Sequence, residues 1–465
     1  GNFFIGWVQD YSAIMLTVRS EGKSLGPLSY ELVGPGARNT LLGFLLFYLL
    51  LISAVFIALV SLFWNIFPTT FMATLGVVVT GVIVGQLIYR VKMGIVPVTI
   101  IAIVLVIASI FLGMAVPMPK GFLGAWTVPF WAAVMCVFLY LGAVLPMPTF
   151  AQPAIYVAFF PAFVGVLLVI IGGLLSPVTG IALQQPAWKT WYTAATGPIW
   201  PMMFVAIACG AISGWHSLVG TSSTGKQLDI ETDAYPVGAG AMLTEGMLAL
   251  AALAAYMVCT PDEAAAGKVG AFVTGATRLT SAYLGNEAFF TTFFGLFLVI
   301  YAITVQILVT RFMRMFFAEL FPDTALANMH VATVISLVVA WLFAISGSWW
   351  NLWMYFGGSN QLLAGLALML VTIYLARQKL STSYTLGPAI FMLVTTLAAL
   401  LWEIWIFVKA VITRTPVMKP PLSAYAGISL VFNVVFIIVG VVLFILGIRM
   451  VRMSWRSYQE AKAAA

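Results

Sequence analysis

The sequence of 465 residues is poor in charge: Asp, Glu, Lys and Arg make up 8% of it, against 63% hydrophobic residues. So little polar surface cannot cover a water-soluble globule of this size, which excludes a soluble enzyme or binding domain and makes the lipid bilayer the expected environment. Histidine occurs 2 times and cysteine 3 times. Cys136, Cys209 and Cys259 fall inside or at the ends of apolar segments, with neither metal-site nor disulfide spacing. No metal and no cofactor are therefore expected. The net charge of +7 comes from cations set singly or in pairs between apolar runs. They form no basic face, so nucleic acid is not an expected partner. The alternating ten-residue pattern of a membrane barrel is also missing, and so is a cleavable signal peptide, residue 1 lying already within an apolar segment.

What the chain does have is apolar runs of about twenty residues, the length that crosses ~30 Å of hydrocarbon as a helix. In lipid every backbone amide must find its partner within the protein, which favours helices. About thirteen segments are predicted, at 1–17, 39–64, 70–88, 95–115, 126–145, 153–175, 198–217, 236–258, 285–310, 328–346, 355–376, 383–408 and 423–448. The expected fold is an all-α polytopic membrane protein, with residues 1–465 forming one transmembrane domain. Threading the segments alternately puts fourteen cations on one side, among them Arg19, Lys226, Arg311 and Arg314, and seven on the other, including Lys419. The richer side is expected to be cytosolic, and the C-terminus with it. Two longer connections fall on the outer side, 176–197 and 261–285; the second, glycine-rich and too short to cross, predicts a short helix over an outer vestibule.

One stretch stands apart from this oil. GAISGWHSLVGTSSTGKQLDIETD, residues 210–233, holds glycines, a histidine, hydroxyls, a lysine and acids. Its GTSSTGK matches the spacing of a phosphate-binding loop, but a membrane run precedes it and Gln227 follows Lys226 where a magnesium-holding hydroxyl belongs. A broken membrane helix accounts for it better. Gly210 and Gly214 lower helix propensity around Ala211 to Ser217, and the freed carbonyls and amides are tolerated only beside a cavity. Such a break presents helix ends to the carboxylate or ammonium of a small solute. The competing reading is that Gly-x-x-x-Gly only lets helices pack closely. Gly210, Ala211, Ser213, Gly214, His216 and Ser217 are the candidate substrate-binding residues.

Ionisable residues at membrane depth are functional candidates by default. Glu245 follows the break directly and is the first candidate for a coupling carboxylate, with Asp10 at comparable depth in the first segment. His216 is a candidate for holding a carboxylate or relaying a proton, since imidazole titrates near physiological pH. Glu287, Glu403 and His330 read as interfacial. Lys226, with Asp229, Glu231 and Asp233, is expected in a solvated loop at the inner gate. FGGSNQLLAGL, 356–366, reads as a second polar, glycine-containing start of a membrane segment, where Ser359, Asn360 and Gln361 either line the route or satisfy a helix start.

Five blocks in order, WVQDYSAIMLTVRSEGKSLG (7–26), ACGAISGWHSL (208–218), TSSTGKQL (221–228), GAGAMLTEGMLAL (238–250) and FGGSNQLLAGLAL (356–368), resemble the carbon starvation protein A family of membrane transporters. The resemblance runs along nearly the whole chain. It implies a secondary transporter of the plasma membrane, taking up peptides or pyruvate with protons during carbon starvation, and not an enzyme. It also implies a core similar to the leucine-transporter fold, of two inverted five-helix repeats with broken helices. The second half of that core would span roughly 198–376, with peripheral helices at 383–450. Family members carry further segments before the equivalent of Gly1, including a His-His-Phe and a Gly-x-Gly-Pro break, so a first repeat helix is expected upstream of residue 1. In that frame Asp10 and Glu245 are pseudo-symmetric partners.

The expected function is peptide import by alternating access, coupled to protons or else to sodium; a pyruvate/proton symporter is the alternative. A channel is disfavoured because polar residues cluster at a few depths and leave long apolar stretches between them. A membrane enzyme using His216 and a hydroxyl such as Ser213, activated by the adjacent base, is the second rival. The partners implied are a small-molecule substrate and the lipid bilayer.

Overall fold

The computed structural model describes residues 1–193, 196–415, 417–418 and 426–464. Among the described residues seventeen α-helices follow one another: α1 (Trp7–Val18), α2 (Leu25–Leu32), α3 (Pro35–Ile66), α4 (Thr70–Tyr89), α5 (Ile95–Ala115), α6 (Thr127–Val144), α7 (Ala151–Thr179), α8 (Phe204–Ile207), α9 (Gly214–Ser222), α10 (Ala241–Met257), α11 (Pro261–Gly267), α12 (Ala271–Leu284), α13 (Glu287–Leu320), α14 (Met329–Ala344), α15 (Trp349–Arg377), α16 (Ser383–Ile412) and α17 (Ala426–Ala463). Two short strands, β1 (Tyr192–Thr193) and β2 (Gly197–Pro198), pair antiparallel. Among the described residues ten helical stretches are long and apolar enough to cross a membrane, and α14 is a shorter apolar helix. The remaining two predicted segments, 1–17 and 198–217, are the irregular ones. A π-helical turn at Asn2–Gly6 leads into α1, and 198–217 breaks into pieces. The protein is an all-α polytopic membrane protein. The start of the thirteenth predicted segment, 423–425, and Lys419 lie outside the described residues.

The chain forms two compact units. The first comprises Gly1–Leu51, Thr190–Gly246 and Trp350–Ala465; the second, Ile52–Lys189 and Met247–Trp349. In the second, α4 packs on α5 and α7, and α13 runs against α6, α7 and α14. Its core is aliphatic and aromatic, with Phe272, Phe290, Phe293, Phe294 and Phe297 in mutual ring contact. The predicted outer helix is there as two, α11 and α12. Thr260 and Glu263 close a capping box at the start of α11, and Arg278 of α12 reaches back to Glu263 at 2.6 Å.

In the first unit α1 packs on α9 and on the π-helical lead-in Tyr235–Gly240 of α10, while α16 and α17 pack on each other. Helix α1 stops because Glu21 and Gly22 take left-handed φ angles of 56° and 73°, a conformation that glycine adopts without a Cβ penalty. Helix α15 is nine-tenths buried along its apolar window and carries the polar residues that reach the break.

Candidate functional site

The 198–217 segment is interrupted. Helix α8 ends at Ile207, a 3-10 turn covers Ala208–Gly210, and a non-helical link leads to Ser213, the N-cap of α9, at φ −124° and ψ 130°. Sequence explains the new start: the Ser213 hydroxyl accepts the Trp215 amide at 3.2 Å, a capping geometry that serine favours. The two glycines of the pair differ in their surroundings. A Cβ on Gly214 would collide with the Asn360 carbonyl and the Leu363 side chain, so this glycine serves close packing of α9 on α15. A Cβ on Gly210 would meet only Glu245 Oε1, at 3.6 Å, so this glycine lies in the interruption and faces the candidate carboxylate.

Unpaired main-chain groups inside a membrane are expensive, and side chains answer them. Asn2 Nδ2 donates to the Gly210 carbonyl at 2.9 Å. Gln9 Nε2 donates to the Ser213 carbonyl at 2.7 Å and to Ser217 Oγ at 2.5 Å, while Gln9 Oε1 accepts the Ser213 amide at 3.1 Å. Asn360 Oδ1 accepts from the Trp215 amide at 3.0 Å, from Ser213 Oγ at 3.2 Å and from the Tyr48 hydroxyl at 2.9 Å. Next to Asn360, Gln361 Nε2 donates to the Phe204 carbonyl at 2.6 Å. Ser213 and Ser217 are 0% exposed, engaged by these amides within the protein.

The groups left accessible are ionisable. His216 stands between two carboxylates: its Nδ1 is 3.0 Å from Asp10 Oδ2 and its Nε2 is 3.4 Å from Glu245 Oε2. Side-chain exposures of 21%, 11% and 29% for His216, Asp10 and Glu245 make the cluster half-buried. Asp10 Oδ1 is buried and has no hydrogen-bond partner.

Other expectations meet different outcomes. Ser359, Asn360 and Gln361 stand at no helix start: α15 begins ten residues earlier, at Trp349, and all three are 0% exposed in its interior. Ser359 Oγ bonds back to the Tyr355 carbonyl at 2.8 Å. Exposed Lys226 ends a 3-10 turn, and the ion pair nearby joins Arg19 to Glu231 at 2.5 Å. Glu403, expected to be interfacial, is not open to its surroundings. It is 2% exposed inside α16, with Oε2 lacking a hydrogen-bond partner. Glu287 is exposed at the start of α13, and exposed His330 bonds Tyr140 at 2.8 Å. Asn2 and Gln9 were not singled out from the sequence. Their signal is two amides spaced seven residues apart, hence two turns along one helix face, in an apolar segment that also bears Asp10. Among the described residues no group of three or more His, Cys, Asp or Glu is arranged to hold a metal ion.

The family model of carbon starvation protein CstA matches residues 1–282 and 263–399. A peptide transporter CstA of Campylobacter jejuni is 27% identical over 476 residues, covering 85% of this chain and 67% of its own length. The pyruvate/proton symporter BtsT of Escherichia coli is 30% identical over 283 residues, covering 56% of this chain and 37% of its own. A peptide transporter CstA of Bacillus subtilis is 23% identical over 510 residues, covering 97% and 82%.

Proposed function

Because the chain belongs to the carbon starvation protein CstA family, we propose that it is a proton-coupled importer of peptides that works by alternating access in the bacterial plasma membrane, with its C-terminus in the cytosol. The observation that carries this reading is the placement of His216 between Asp10 and Glu245, beside the interruption at Gly210. Two carboxylates sharing one imidazole can take up and release a proton within a few ångströms, and the interruption supplies a place where a solute can lie against the same groups. The inverted-repeat core, with Asp10 and Glu245 in corresponding positions, belongs to this proposal.

Electrostatics favour a substrate with an ammonium group. The accessible side chains of the cluster are two acids and an imidazole, and the Gly210 and Ser213 carbonyls are already taken by Asn2 and Gln9. An amino terminus would therefore meet the carboxylates of Asp10 and Glu245. The substrate carboxylate would face the amino end of α9, where the helix dipole is positive. Pyruvate, with a carboxylate and no ammonium, is the second reading. It rests on the E. coli relative and would need the acids protonated on arrival.

Uptake by proteoliposomes separates these readings. Saturable accumulation of an intact dipeptide, driven by an inward proton gradient and not by sodium, with labelled pyruvate failing to compete, is expected. Accumulation of pyruvate unaffected by dipeptides would replace the substrate assignment. Flux without accumulation would refute the transporter in favour of a channel.

A further inference from the structure

Arg311 and Arg314 lie three residues apart on α13 and so share one helix face. Each is half-buried, and each has its Nε buried with no hydrogen-bond partner. Among the described residues neither makes an ion pair, and the acids next along the chain, exposed Glu319 and Asp323, do not pair with them. Elsewhere Arg19, Lys23, Arg278 and Arg456 each have a carboxylate partner. Arg311 donates instead to the Leu145 carbonyl at the C-cap of α6, which satisfies one N–H and leaves the charge uncompensated.

Topology alone does not account for this arrangement. A cation that only fixes orientation can extend into water, as exposed Arg90 and Lys92 do. Two like charges one turn apart repel, and withdrawing them from water raises that cost unless an anion neutralises them. Their depth names the anion. From Glu287 to Arg311, α13 rises about 36 Å, so Arg311 and Arg314 stand just past the ~30 Å hydrocarbon layer, at headgroup level. A guanidinium pair matches phosphate oxygens in both charge and donor geometry.

We propose that Arg311 and Arg314 bind the phosphate of an anionic phospholipid on the cation-rich side of the membrane, with Arg311 held in place by the Leu145 carbonyl. The test uses the full chain in nanodiscs of phosphatidylcholine alone or mixed with phosphatidylglycerol, read by lipids retained in native mass spectrometry and by thermal stability. Wild-type protein is expected to retain phosphatidylglycerol preferentially and to melt higher in the mixture. The preference should fall roughly fivefold for each arginine replaced by Gln, should be largely kept by Arg311→Lys with Arg314→Lys, and should not respond to Arg90→Gln with Lys92→Gln. Should R311Q/R314Q misfold, the wild type still decides: no preference for phosphatidylglycerol overturns the proposal. So does an equal rise in melting temperature when inorganic phosphate is added to phosphatidylcholine discs, which would mark a free-anion site. Undiminished retention by a folded R311Q/R314Q overturns it as well.

Discussion

Asp10 and His216 meet at 3.0 Å although 206 positions separate them in the chain. The contact joins the first membrane segment to the helix that restarts after the interruption, and Glu245 closes the other side of the imidazole at 3.4 Å.

Replacing Glu245 by Gln keeps size and hydrogen-bonding capacity and removes the titratable oxygen. Proton-driven accumulation of substrate in proteoliposomes is expected to stop, while exchange of labelled for unlabelled substrate, which needs no net proton movement, continues. Normal accumulation in this variant would refute the coupling role.

The glycines predict opposite outcomes. Gly214→Ala drives a methyl group into the Asn360 carbonyl and Leu363 and should cost about 1–3 kcal/mol by overpacking, measured as a lower melting temperature in detergent. Gly210→Ala meets Glu245 Oε1 at an ordinary contact distance. It should leave the melting temperature nearly unchanged and reduce uptake.

Asn360→Ala strips acceptors from the Tyr48 hydroxyl and the Ser213 hydroxyl and one of two from the Trp215 amide. Leaving buried donors unmatched costs about 1–3 kcal/mol. A melting temperature equal to wild type would show that the amide does not hold the interruption.

These outcomes bear on what the sequence could tell. Asp10, His216 and Glu245 were legible one at a time, because an ionisable group in an apolar run carries its own signal. Their meeting was not legible, nor was the closure of the interruption by Asn2, Gln9 and Asn360, since partners hundreds of residues apart are chosen by packing. The thirteen apolar runs were visible because lipid demands length and apolarity. The position of Ser359 to Gln361 was misjudged for a related reason: polar residues in the middle of buried α15 resemble a helix start when their partners are unknown. Glu403 shows the same limit, for its distance from a segment end gave no sign that neighbouring helices bury it.

Glu263, at the start of α11, gives a pH dependence. The Arg278 guanidinium beside it, followed by the Thr260 amide, pulls its carboxyl down to about 2. A group depressed on folding stabilises the folded state above its ordinary value near 4.5, and that contribution fades as pH falls through about 2. Both side chains are 36% exposed, so solvent screening limits the pair to ~1 kcal/mol or less. Corrected for the intrinsic amide exchange rate, protection of α11 and α12 against hydrogen–deuterium exchange should fall between pH 4.5 and 2 in the wild type, and Arg278→Ala should flatten that trend. A trend unchanged in Arg278→Ala would assign it to other groups.

Asn2 clips one end of the interruption, Gln9 clips the other, and Gly6 between them lies against the Ala211 carbonyl, where a Cβ would collide. All three lie on one continuous helical stretch from the π-helical turn into α1, so the two ends of the loosened main chain are tied to the same element and a displacement of that element would be felt at both.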